Sequence, residues 1–359
     1  MLNVDPFINA FSRLGEFLRQ FPEHQKNNAP ELAHLNISLY DSFQSVLHRE
    51  YVNNPWFTPD WVNRALFGIA RMLDEEVLRK WLGPYRLSTR KDETVKTVGL
   101  VLAGNIPMVG FHDILCVLAS GHRILAKPSS RDDRLIRKTA EAISLIDPSL
   151  GGRITFSGDT LSGLDAVIAT GSNNSARYFE YYFRDIPHVI RKNRSGVAVI
   201  TGDESEEELA GIGEDIFTYF GLGCRNVTKL YVPESYDLKI LMSAMDGFSH
   251  LREYHKYMNN VEYYRTIYLM NRQDFLDNGV LLLKEDRAIA SPVGVVFYER
   301  YSEIGTVKQQ LKVRDEEIQC VVSISPGISK AIKPGTSQQP MPWDYADGVD
   351  TLRFLKELN

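Results

Sequence analysis

Val95–Lys127 reads VKTVGLVLAGNIPMVGFHDILCVLASGHRILAK. An apolar run from Val98 to Ala103 gives way to a longer stretch of helical spacing, Val109 to Ala119, and a second short run follows from Arg123 to Lys127. Two short apolar strands separated by a helix predict a parallel βαβ unit, because parallel strands need a crossover connection. Working outward toward higher numbers, the pattern repeats: helix Asp132 to Ile146, strands Ile154 to Phe156 and Ala166 to Ala169, helix Asn174 to Phe183, strand His188 to Ile190. A second unit begins near Ser195, with strand Val197 to Thr201, an acidic helix start at Asp203 to Glu208, and helix to Phe220. The turn Gly221-Leu222-Gly223-Cys224 and strand Thr228 to Val232 come next. Beyond it lie helix Leu238 to Met245, strands Val293 to Tyr298 and Ile318 to Ile324, and a Pro/Gly-punctuated tail from Ser325.

Toward lower numbers the texture is helical. Asp5-Pro6 opens an amphipathic run carrying Phe7, Ile8, Phe11, Leu14, Phe17 and Leu18. Thr58 is a good N-cap before Pro59, and Trp61, Ala65, Leu66, Ile69, Leu73 and Val77 follow at helical spacing. The expected organisation is a helical region over 1–90, a Rossmann-type cofactor domain over 91–194, an α/β catalytic domain over 195–325 and a tail over 326–359.

A chain of 359 residues suits two domains. Its 43% hydrophobic and 24% charged content match a soluble globular protein. A net charge of -5 argues against a nucleic-acid partner. Met1 to Gln20 lacks the basic front and unbroken apolar run of a signal peptide, and no stretch has the apolar length of a membrane span. Cys116, Cys224 and Cys320 are odd in number and far apart, which fits neither a disulfide framework nor a zinc pattern, so the expected compartment is a reducing cytoplasm. No His-Glu-x-x-His spacing occurs, and no metal is expected.

The usual glycine fingerprint for a dinucleotide is absent, since Gly104-Asn105-Ile106-Pro107 follows the first strand. Thr170-Gly171-Ser172 stands between a strand and a helix, so Gly171 and Ser172 can serve a pyrophosphate or simply cap the helix. Lys127, ahead of Pro128 and Ser129, ends a strand where it can reach a ribose or be solvated. Asn105 can donate to an oxyanion or make an Asx turn. Cys224 follows a glycine-bearing turn beside Arg225, the setting of a thiol nucleophile or of a structural thiol, whereas Cys116 and Cys320 lie in apolar runs that read as core. His112, His188 and His255 read as structural or solvated.

In their order, Gly104-Asn105-Ile106-Pro107, Lys127-Pro128-Ser129, Ala169-Thr170-Gly171-Ser172 and Phe220-Gly221-Leu222-Gly223-Cys224 resemble the aldehyde dehydrogenase superfamily. Asn105 to Gly110, Leu125 to Ser130, Arg191 to Val232 and the tail Trp343 to Leu352 are similar to the LuxC-type acyl-CoA reductases within it. The resemblance implies an aldehyde dehydrogenase-like fold and NAD(P)H-dependent reduction of acyl-CoA or another acyl thioester to an aldehyde. It assigns Cys224 as nucleophile, Asn105 as oxyanion donor, Lys127 to the cofactor ribose, and Gly171 and Ser172 to the pyrophosphate, and Ser129 is expected among the cofactor-binding residues. NADPH is expected over NADH, from Ser129, Ser130 and Arg131 beside Lys127. A homo-oligomer, and an acyl-activating protein as donor, are further expectations, although the short chain puts the usual oligomerisation arm in doubt. One segment departs from the superfamily: the Glu-Leu-Gly-Gly that carries the general base of aldehyde-oxidising members is replaced by Asn193-Arg194-Ser195-Gly196-Val197, which favours reduction. Two rival readings stand beside this one. An acyl-phosphate reductase would use Arg191, Lys192 and Arg194 as phosphate cations, and a non-catalytic nucleotide-binding partner of an acyl-activating enzyme would keep Cys224 as a structural thiol.

Overall fold

The computed structural model describes residues 4–87, 94–158 and 160–358. The expected boundary between 90 and 91 lies outside the described residues. The chain divides into two compact units, Met1–Lys192 with Pro340–Asn359, and Asn193–Gln339. The last twenty residues thus return to the first unit, whereas the sequence sets 326–359 apart as a tail.

The first unit opens with helices α1 (Asp5–Arg19), α2 (Pro30–Asn53), α3 (Pro59–Met72) and α4 (Glu75–Leu82). Helix α1 buries Ile8, Phe11, Leu14, Phe17 and Leu18, as the spacing predicts, and Phe17 meets Phe43 of α2 edge-on at 5.5 Å. Thr58 caps α3 by accepting from the Trp61 amide at 3.3 Å. The helix stops at Met72 instead of continuing to Val77, because the chain turns extended at Asp74 and restarts as α4 with Glu75 and Glu76 at its positive end.

Strands and helices then alternate: β1 (Thr97–Val101), α5 (Phe111–Ala119), β2 (Arg123–Lys127), α6 (Asp133–Ile146), the short α7 (Pro148–Gly151), β3 (Ile154–Phe156), β4 (Ala166–Thr170), α8 (Asn173–Tyr182) and β5 (His188–Arg191). The strands form a parallel sheet in the order β3-β2-β1-β4-β5, with Val101 of β1 level with Lys127 of β2. The order reverses at β1, so the loops after β1, β2 and β4 rim the crevice at the carboxyl edge, the usual place for a ligand in such a sheet.

In the second unit come β6 (Ser195–Val199), α9 (Glu206–Phe217), β7 (Val227–Pro233), α10 (Leu238–Ala244), α11 (His255–Met270), β8 (Leu276–Asp277), β9 (Leu282–Glu285), β10 (Val295–Tyr301), α12 (Ile304–Val313) and β11 (Ile318–Val322). Their sheet runs β11-β6-β7-β10-β9-β8, parallel except for the β8–β9 pair. Ser205 and Glu208 form a capping box at the acidic start of α9. Helices α11 and α12 are not signalled by the sequence pattern. The helix expected to reach Phe220 ends at Phe217, because Tyr219 and Phe220 adopt left-handed backbone angles. Helix α13 (Thr351–Lys356) belongs to the first unit and lies on α5, burying Leu352 and Leu355 completely. Among the described residues no helix is long and apolar enough to cross a membrane.

Candidate active site

In the first unit the crevice is shaped by close approach. A Cβ on Gly104 would sit 2.6 Å from the Ser129 side chain, so only glycine lets the loop after β1 lie on the loop after β2. Asp132, fully buried, fixes that contact by accepting from the Met108 amide at 2.6 Å, and Met108 itself is held at a φ of 56°. Burial raises the Asp132 pKa well above the ordinary carboxylate range. Asn105 is half-buried in the loop between.

Lys127, at the exposed end of β2, opens onto a cleft of about 820 Å³ that Ser129, Arg131, Arg134 and Glu50 also line. Glu50 comes from α2, whose carboxyl end is tied to the cleft by Asn54 donating to the Arg131 carbonyl. Arg137 in the same cleft pairs with Asp133 at 2.7 Å, whereas Arg131 and Arg134 make no ion pair among the described residues. Ser172 caps α8 by accepting from the Ser175 amide at 3.2 Å. Gly171 gives the turn room, since a Cβ there would meet Ser175 at 2.8 Å and the Phe179 ring at 2.9 Å.

The second unit holds Cys224, half-exposed in the turn before β7. Asn226, fully buried, builds that turn: its Oδ1 accepts from the Gly223 amide at 2.7 Å, and its Nδ2 donates to the carbonyls of Asp215, Ile216 and Thr218. The approach to it is Tyr219-Phe220-Gly221, three successive residues at positive φ. Behind it, Gly196 of β6 has room for no side chain, because a Cβ would stand 2.6 Å from the Arg225 carbonyl oxygen. The segment before Pro340 is stapled alongside, as Asp215 accepts from the Gly335 and Ser337 amides and Arg225 donates to the Ser337 carbonyl at 2.8 Å. Arg225 is therefore engaged with backbone. Cys320 lies under the turn, its Sγ 3.6 Å from the Arg225 carbonyl, and burial pushes its pKa up to about 12. Cys116 is buried in the first unit and its pKa is likewise raised by burial.

Several charged residues have structural partners. Arg191 is buried and donates to Asp113 at 2.6 Å and to Thr351 at 2.9 Å. Lys192 pairs with Glu180 at 2.9 Å, and Arg194 donates to the carbonyls of Asp315 and Ile318. His112, its pKa lowered by burial, contacts the Pro342 carbonyl, and His188 contacts those of Phe183 and Ile186. Glu204 accepts from the Thr201 and Gly202 amides, and Glu299 from Lys229 and Gln310. No cluster of metal-ligating side chains occurs among the described residues. Asn226, Glu50 and Asp132 do not stand out in the sequence; an asparagine three residues after Gly223 is the one local signal.

No protein-family model matches the chain, and no curated protein matches it. Solved structures do. P. syringae AldA indole-3-acetaldehyde dehydrogenase, in complex with NAD+ and IAA, is 14% identical with a TM-score of 0.61 over 92% of this chain and 74% of that one. An NAD+ complex of aldehyde dehydrogenase from Bacillus cereus gives 12% and 0.61 over 91% and 73%. The Mycobacterium tuberculosis aldehyde dehydrogenase complexed with NAD+ gives 13% and 0.57 over 83% and 70%. The chain has the aldehyde dehydrogenase fold.

Proposed function

We propose that this chain is a nicotinamide-dependent reductase that accepts an acyl group from a thioester onto Cys224 and releases it as an aldehyde. The carrying observation is the turn at Cys224: a half-exposed thiol on a rigidly bonded loop, while burial raises the pKa of the fully buried Cys116 and of the half-buried Cys320. The Cys224 thiolate attacks the acyl carbonyl carbon, a carbon–sulfur bond forms, and the donor thiolate leaves and takes up a proton from water. Exchange of one thioester for another is nearly balanced and keeps the carbonyl electrophilic. Asn105 is the amide donor that the resemblance assigns to the oxyanion.

Lys127, Ser129, Gly171 and Ser172 would hold the dinucleotide, and the crevice suits it, with a glycine cradle at Gly104 and a capped helix start at α8. A reduced nicotinamide, when bound, supplies hydride. Cys224 then serves as leaving group as the aldehyde departs. Ser129, Ser130, Arg131 and Arg134 on the cleft support a preference for NADPH.

Reduction is favoured over hydrolysis because the carboxylates Glu204 and Glu299 of the second unit are both taken up in hydrogen bonds. The acyl-phosphate reading loses support, since Arg191, Lys192 and Arg194 all have protein partners. Intact mass and peptide mapping after mixing with acyl-CoA test the proposal. An adduct on Cys224 is expected, with coenzyme A release stopping near one equivalent until reduced cofactor discharges aldehyde. Label on Cys116 or Cys320, no label, or continuous release of free acid would overturn it.

A further inference from the structure

The cleft beside Lys127 contains a carboxylate that the fold does not use. Glu50 is 2% exposed, yet its Oε1 has no hydrogen-bond partner among the described residues. An unpaired buried carboxylate oxygen is costly, so a fold that keeps one at the wall of a cleft leaves an acceptor for something that enters. Burial raises the Glu50 pKa, and nearby Arg134 opposes that rise. Lys127 supplies donors on the same wall, and Arg131 and Arg134 supply cations that no ion pair among the described residues engages.

We propose that Glu50 accepts a hydrogen bond from the 2′-hydroxyl of the cofactor's adenosine ribose and, set against Arg131 and Arg134, determines how far the site prefers a 2′-phosphate. This rests on the reading of the cleft as the cofactor site. The chemistry is that of the two 2′ substituents: a hydroxyl donates to a carboxylate, and a phosphate dianion is repelled by it and drawn to guanidinium. Both kinds of group line one cleft, so the site admits both cofactors, with the ratio set by Glu50 on one side and the arginines on the other. The residue lies on α2, outside the βαβ unit that binds such cofactors by its own strand ends, and Asn54, bonded to the Arg131 carbonyl, holds that helix end in position.

Fluorescence titration of the whole protein with NADH and with NADPH, in the absence of acyl substrate, tests this. Glu50→Gln keeps the shape and removes the charge. It should weaken NADH about tenfold or more, the loss of a bond to a charged group, while NADPH holds or improves. Arg134→Gln, an exposed change that leaves the core alone, should shift the ratio the opposite way. Melting curves of both variants check that the fold is intact. If the wild type binds both cofactors and Glu50→Gln alters them equally or not at all, Glu50 has no part in the choice. If the wild type binds neither, the cofactor reading of the cleft falls as well.

Discussion

Asn226 makes four hydrogen bonds to backbone, and each closes part of the turn that carries Cys224. Cys224, by contrast, is the residue the sequence singles out. A thiol after a glycine turn stands out in a string of letters, whereas a buried asparagine is defined by carbonyls eight to eleven positions away. Arg191 is misleading for the same reason: it reads as a basic strand end, but its partner Asp113 is 78 residues distant. At this scale the thiols make a direct prediction. With the Cys320 pKa pushed up to about 12 by burial, its thiolate is scarce at pH 8, and Cys116 is sealed in the core. Iodoacetamide at pH 8 should therefore alkylate Cys224 first by a wide margin, read by peptide mass. Comparable early labelling of Cys320 would show that its thiol is not suppressed in this way.

Among the elements, the alternation of short strands and helices over β1 to β5 is legible because each strand is an apolar run bounded by turn residues. Helix α11 is not, since it buries only Tyr257, Val261 and Tyr268 and is rich in tyrosine and asparagine, which are weak helix formers. Packing makes it helical. The left-handed pair Tyr219 and Phe220 is equally unreadable, as non-glycine residues avoid that region at a cost of about 1–2 kcal/mol each. Phe220 recovers part of this against Tyr254 and Tyr257, with ring centroids 5.1 and 5.6 Å away. The loop between β1 and α5 offers a test through Asp132. Its raised pKa means that the folded state binds the proton more tightly than the unfolded chain does. The stability this contributes is complete below the ordinary value of 3.8 and is lost as pH rises through the folded value. Asp132→Asn keeps an acceptor for the Met108 amide without the charge, so its melting temperature at pH 7 to 8 should equal or exceed the wild type's. Asp132→Ala orphans that amide and should cost about 1–3 kcal/mol. Equal loss in both variants would show that the charge itself is needed.

For the whole molecule, the controlling fact is that the chain leaves the first unit at Lys192 and re-enters it at Pro340. Nothing in the tail's composition announces this, because the contacts that seat α13 are long-range: Thr351 to Arg191, the Leu355 carbonyl to His122, and Tyr345 to Trp81 and Tyr85. Ending the chain after Gln339 removes the buried Leu352 and Leu355, each worth about 1.5–3 kcal/mol, along with those polar contacts. Against a net stability of about 5–15 kcal/mol, the truncated protein should lose cooperative melting of its first unit, and cofactor titration should fail. An unchanged melting curve would mean that α13 is dispensable. The same topology sets an order of events at the ribosome. At about 5–20 residues per second, the stretch from Asn193 to Gln339 occupies on the order of ten seconds of synthesis. Throughout that interval the unit begun first has its apolar seat on α5 uncovered and its Arg191 short of Thr351, so a nascent chain must be shielded from its neighbours until its final helix emerges.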